Sequence, residues 1–179
     1  MRKVAFLLLV ALPLAVAAQD NAKKPPTTLR GVLLEQLRQS HNAEDWYAPA
    51  SVAVAGLTAE QARWSPGKGN HSVGQLAHHL WFWDTQALAR FKGEKPPAFN
   101  GNNDETFNDF TPEQWDDLVK KLNEVMADWE GAVTNADDQK LEENASLVAH
   151  VGAHNAYHVG QIVYVRKLQG VWDANKGVK

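Results

Sequence analysis

Ser146 to Leu168 runs for 23 residues, S-L-V-A-H-V-G-A-H-N-A-Y-H-V-G-Q-I-V-Y-V-R-K-L, without proline and with Gly170 just past its end. Such a run predicts a helix closed by a C-terminal glycine. At about 100° per residue, Leu147, Val151, Ile162, Val165 and Leu168 fall on one stripe suited to a core, and His154 and His158 lie in its middle. The opposite side carries Ala149, Gly152, Ala153, Ala156 and Gly160, small enough for a second helix to come close. A helix apolar on one side and small on the other is expected to be buried on both, so the rest of the chain must pack around it. His154 and His158 stand one turn apart on the same side. A buried imidazole without a partner costs about 1–3 kcal/mol. A shared metal ion would satisfy both, and so would separate hydrogen bonds within the core; the spacing alone leaves the two open.

Three further helical patterns precede this one. Leu29 to Gly56 reads as one long helix kinked near Pro49, with Leu29, Val32, Leu33 and Leu37 inward. Thr58-Ala59-Glu60-Gln61 is a capping box for a short turn ending at Trp64. Ser72-Val73-Gly74-Gln75 is a second box, opening a helix to about Phe91 whose stripe is Val73, Leu76, Ala77, Leu80, Ala87 and Phe91. Thr111-Pro112-Glu113-Gln114 opens another, to about Val133, with Trp115, Leu118, Leu122, Val125, Met126 and Trp129 inward. Asn135 to Asn144 reads as a polar connection, and Val171 to Lys179 as a short tail with Trp172 free to fold back. Strand-like alternation and internal repeats are absent. The expected fold is all-α, a four-helix bundle with a long crossover loop, Lys92 to Thr106, between helices two and three. A Gly/Pro/Asn-rich segment of that length is either a lid over a site or a plain surface crossover.

The chain's 179 residues suit one domain. A formal net charge of −3, with no basic cluster outside the extreme N-terminus, gives no footprint for nucleic acid. Cysteine is absent, which excludes disulfides, a thiolate nucleophile and a lipoprotein anchor. Residues 1–20 read as a signal peptide: Met1-Arg2-Lys3, an apolar run from Val4 to Ala18 broken by Pro13, and the small-x-small triplet Ala15-Val16-Ala17. The mature chain is then expected to be exported, periplasmic or secreted, to start near Ala18 or Gln19 and to keep no membrane anchor. Residues 21–28 form a flexible leader and 29–179 the bundle domain.

Two histidines leave a metal short of ligands. His150 lies eight residues before His158, roughly 12 Å along a helix, too far to share a first coordination sphere, and it becomes a flanking residue. His41 and His71 sit in interrupted or terminal stretches. In helix two, His78 points about 160° away from the core stripe, whereas His79 lies about 100° off it, on the flank of Leu76 and Trp83 and within reach of a neighbouring helix. The candidate ligands are therefore His79, His154 and His158. The imidazoles suit zinc, nickel, iron or copper, so the identity of the divalent metal stays open.

H-N-A-Y-H-V-G-Q-I, together with S-V-G-Q-L-A-H-H-L, resembles the DinB/YfiT-like superfamily, over about Leu29 to Trp172. The resemblance implies a four-helix bundle with a three-histidine divalent metal site, His79, His154 and His158 taking the three ligand positions. It also implies a range from thiol-S-transferases using low-molecular-weight thiols to members with no known reaction.

Around the triad, Asp84 falls near the inward stripe and could orient an imidazole or act as a base, or pair with a lysine or arginine. Tyr157 and Gln161 flank the ligand face, Trp81 and Trp83 bracket His79, and Asp104 and Glu105 in the loop are most simply solvated. Asp84 and Tyr157 are thus the catalytic candidates, while His150 and Gln161 support the ligands. The resulting expectation is a metal-dependent hydrolase or thiol-S-transferase-like enzyme, with a non-catalytic metal- or small-molecule-binding module as the alternative. A small-molecule substrate and a homodimer are compatible with it; the substrate and the oligomeric state are not written in the sequence.

Overall fold

The computed structural model describes residues 24–177. The expected signal peptide lies outside them. The described chain is all-helical: α1 (Leu29–His41), α2 (Ala50–Val54), α3 (Ala59–Arg63), α4 (Val73–Lys92), α5 (Pro112–Asn135) and α6 (Asp138–Gln169), with a 3-10 turn at Asn103–Thr106. α1 and α4 each pack against both α5 and α6, which makes the four long helices a bundle. α4 and α6 share one seam and run antiparallel: Asp84 meets Asn155, while Lys140 near the start of α6 sits over Phe91 near the end of α4. None of the described helices is long and apolar enough to cross a membrane.

The helix starts follow the local chemistry. Ser72 Oγ accepts from the Gln75 backbone at 3.2 Å, and Gln75 Oε1 accepts from the Ser72 backbone at 3.0 Å. Thr58 with Gln61 repeats the motif, and Gln114 reaches back to the Thr111 backbone beside Pro112. α6 ends at Gly170, whose φ of 77° is the left-handed conformation that favours glycine.

Three expectations are corrected. Leu29 to Gly56 is not one kinked helix. α1 stops at His41, and Pro49 caps the start of α2 rather than kinking a continuous helix. Proline lacks the donor a helix interior needs and pushes the residue before it out of the α region. The polar stretch Asn135 to Asn144 is mostly helix: Asp137 accepts from the Lys140 backbone at 2.8 Å, and α6 starts at Asp138. Its polar side chains populate an outer face, with Leu141 buried on the inner one. Leu29, Val32 and Leu168 are exposed rather than core. In α1 the buried apolar residues are Leu33, Leu34 and Leu37, followed by buried Ser40 and His41.

The core is largely apolar, and its buried indoles are hydrogen-bonded. Trp129 is fully buried and donates Nε1–H to the Asp84 backbone carbonyl at 3.1 Å; Trp115 donates to Leu57 O at 2.9 Å. Two arginines close helix ends. Arg30 bonds the Val133, Thr134 and Ala136 carbonyls at the end of α5, and buried Arg166 bonds the Ala53 and Ala55 carbonyls at the end of α2. The small side of α6 is split. Gly152 is buried against α1, where a Cβ would come within 2.7 Å of Gln36, but Ala153 and Gly160 face outward.

Candidate metal centre

The seam between α4 and α6 brings His79 from one side and His154 and His158 from the other into a single cluster. Their nearest ring nitrogens all lie within 4.8 Å of one another, and His79 and His158 are buried. His79 Nε2 stands 3.1 Å from His154 Nε2.

The surrounding hydrogen bonds set which nitrogen of each ring is free. Thr106 Oγ1 lies 2.7 Å from the Asn103 carbonyl, to which its only hydrogen must go. Toward His79 Nδ1, 2.6 Å away, it can therefore only accept. That places the His79 proton on Nδ1 and leaves Nε2 as a lone pair aimed at His154. His158 Nδ1 donates to Gln161 Oε1 at 2.6 Å, freeing its Nε2 in the same way. His154 Nε2, 3.1 Å from His79 Nε2, meets the His79 lone pair either with its own hydrogen or, when its hydrogen is on Nδ1, across a shared cation. Nitrogens on a tetrahedral ion with bonds of 2.0–2.1 Å sit about 3.3 Å apart. The donor set thus fits a divalent ion held by imidazole nitrogen.

Electrostatics agree with that chemistry. Burial, followed by the neighbouring imidazoles, pushes His79 down to about 3 and His154 down to about 4. Burial also lowers His158. Each shift favours the neutral ring at neutral pH, the form that binds metal.

Residues 47–162 match the family model of the DinB superfamily. The chain belongs to the DinB superfamily. No curated protein and no solved structure matches it. The DinB segment spans all three histidines, so the family assignment and the cluster that could hold a metal ion rest on the same part of the fold.

Around this DinB centre the other expected residues are distributed unevenly. Gln161 touches His158 directly. Asp84 is buried with no lysine or arginine partner among the described residues; its Oδ2 accepts from Asn155 Nδ2 at 2.8 Å, and burial raises its carboxyl to about 7. Tyr157 is exposed, its ring 4.9 Å from that of His158 and edge-on to it. His150 is exposed one turn before His154, on the wall of an adjoining groove, and makes no hydrogen bond to the triad. His78, turned away from the core stripe toward solvent or a partner, meets a partner: it is half-buried, its Nδ1 2.7 Å from the Thr106 carbonyl. His41 pairs with Glu130 at 2.6 Å, tying α1 to α5. Asp104 and Glu105 are exposed, as expected; Glu105 accepts from Asn100 and Asn102.

The residues not singled out are Thr106, Phe107, His71 and Asn155. The crossover loop ends in the 3-10 turn, which lands on α4 so that Thr106 meets both paired histidines, backbone to His78 and hydroxyl to His79. Phe107 then stacks on His79 at 4.0 Å and on His71 at 3.8 Å, shielding the ligand ring from water. One hint was available. Two consecutive histidines at the start of helix two require two partners, and the long loop is the chain that follows.

Proposed function

We propose that this protein is an exported, metal-dependent enzyme of the DinB superfamily, of hydrolase or transferase type, with a divalent ion on His79, His154 and His158. The observation that carries the reading is the direction of the free nitrogens: Thr106 and Gln161 occupy the Nδ1 positions of His79 and His158, and their Nε2 lone pairs are left for a common ion. Held there by three protein ligands, the ion would supply Lewis-acid polarisation of a substrate oxygen or sulfur. The protein's own residues contribute orientation and exclusion of water. Thr106 and Gln161 fix two rings, Phe107 covers one face of His79, and Trp83 stands edge-on beside it.

One observation favours the non-catalytic alternative. Asp84, the acid nearest the centre in the helix-two stripe, is 1% exposed and engaged by Asn155, so it is poorly placed to exchange a proton with a substrate.

Metal analysis of the mature protein from its native host, with N-terminal mass determination and a panel of esters, amides and thiol adducts, tests each part. The expected result is one divalent ion per chain, a start near residue 18 or 19, and turnover that a chelator abolishes. A chain without metal overturns the centre, an intact Met1 overturns export, and a metal-loaded but inert protein selects the binding module.

A further inference from the structure

A groove of about 430 Å³ opens beside the triad and runs along the α4–α6 seam away from it. Trp83 and Ala87 of α4 form one wall, and Leu147 and Val151 of α6 the other. The Trp83 indole is fixed in place by a 3.2 Å hydrogen bond to Asn103 of the 3-10 turn. The groove reaches His79 and His154, and its lining also includes His150, one turn from His154, and Arg90, eleven residues beyond His79.

Arg90 differs from the other arginines among the described residues. Arg30, Arg38, Arg63 and Arg166 all have their guanidinium groups in hydrogen bonds. Arg90 is exposed and makes no ion pair, side-chain hydrogen bond or cation–π contact with the described residues. Its position eleven residues after His79 puts its Cα roughly 16 Å farther along the helix. A helical side chain leans back toward the N-terminus, so the guanidinium is directed toward the triad and the span to the imidazoles shortens to roughly 10 Å. Among the described residues the one acid of the groove wall, Asp84, is buried against Asn155 and held above the usual carboxylate range by that burial, which weakens its repulsion of an anion.

We propose that this groove is the substrate channel of the centre and takes an amphipathic monocarboxylate, its carboxylate on Arg90 beside His150 and its apolar chain between the two helices, with the far end of that chain presented to the three histidines. The direction of the ligand rests on the reading of the histidines as the reacting centre; its occupancy of the groove does not. An unpaired guanidinium recognises a planar carboxylate through two parallel N–H donors. The apolar walls accommodate about eight carbons over the roughly 10 Å that separate the two ends.

Calorimetric titration of the mature protein with octanoate and with 1-octanol tests this. Octanoate is expected to bind at least tenfold more tightly than octanol, and Arg90→Gln to weaken octanoate roughly tenfold or more while leaving octanol unchanged. Arg90→Gln lies on an exposed helical position and its circular dichroism should match the parent. Equal binding of octanoate and octanol, no binding of octanoate, or octanoate binding unchanged in Arg90→Gln would each overturn the proposal, the last by showing that the carboxylate is held elsewhere. Metal stoichiometry is measured on the same samples. Octanoate binding without metal leaves the groove standing and removes the metal-centre reading, whereas metal without octanoate does the reverse.

Discussion

α4 has two flanks, and they are filled by opposite means. Against α5 it buries Phe91 and Trp129, whose rings pack at 5.3 Å and whose one polar hydrogen is taken by a backbone carbonyl. Against α6 it buries His79 and Asp84, opposite Asn155 and His158. There Asn155 Oδ1 has no partner among the described residues, and the His79 Nε2 lone pair faces His154 Nε2 at 3.1 Å. The first flank is what stability alone would select. A second apolar flank would be at least as stable as the polar one, because buried polar groups at best recover their desolvation cost. The polar flank carries the three-histidine cluster that could hold a metal ion, and the difference between the flanks separates scaffold from candidate site.

Substitutions can break that separation. Trp129→Ala should be the most damaging change, costing about 3–5 kcal/mol of folding free energy, read as a lowered denaturation midpoint with metal binding lost only because the fold is lost. His79→Ala, His154→Ala and His158→Ala should do the converse. A four-ligand structural zinc site is worth about 10–16 kcal/mol, so one ligand represents roughly 3–4 kcal/mol, a loss of a hundredfold or more in metal affinity with helicity intact. His78→Ala and His150→Ala should keep a stoichiometry near one. If His78→Ala abolishes metal and His79→Ala does not, the ligand on α4 has been misassigned.

Asp84 sharpens the comparison through pH. Its carboxyl is raised from 3.8 to about 7 by burial. The unfolded chain therefore releases this proton at lower pH than the folded chain. The stabilisation is complete below about pH 4 and is lost as pH rises through 7. The buried histidines act with the opposite sign, but they do so in wild type and Asp84→Asn alike and cancel in the difference. Measured in chelator, the stability of wild type minus that of Asp84→Asn should fall by about 2 kcal/mol between pH 5.5 and 7.5. A flat difference would mean that Asp84 is ionised in the fold. A neutral Asp84 also supplies a hydroxyl donor in the same buried seam as the orphan Asn155 oxygen.

How much of this could be read from the residues depends on whether the signal was periodic. The bundle was legible because Leu76, Leu80 and Phe91, or Leu118, Leu122 and Trp129, recur at helical spacing, and because Ser72–Gln75 and Thr111–Gln114 mark starts. The histidine cluster was legible for the same reason: 154 and 158 share a face, and wheel geometry separates 79 from 78. The break after His41 was hidden, since a stretch as ambiguous as Gln39 to Asp45 reads either way until tertiary contacts decide. The start of α6 was hidden too, because Asp138 to Asn144 forms an exposed surface with little apolar stripe beyond Leu141. Thr106 and Phe107 carried no periodicity at all. They reach the site through the path of a 15-residue loop, which local propensity does not encode.

Thr106 offers the smallest and most discriminating test. Its hydroxyl does not touch the free Nε2 of His79; it accepts from Nδ1 and, by donating to Asn103, can only accept. Thr106→Val keeps the shape and removes the acceptor, so the tautomer that aims Nε2 at the other histidines is no longer enforced. Loss of such an orienting partner costs 10–100-fold in metal affinity, and a single neutral hydrogen bond places Thr106→Val near the lower end, about tenfold. Thr106→Ser restores the hydroxyl and should recover most of that loss. If valine and serine behave alike in metal titration, the bond merely fills a buried polar gap. If only serine recovers affinity, the crossover loop is part of the centre, and the polar flank of α4 is built from three segments of the chain rather than two.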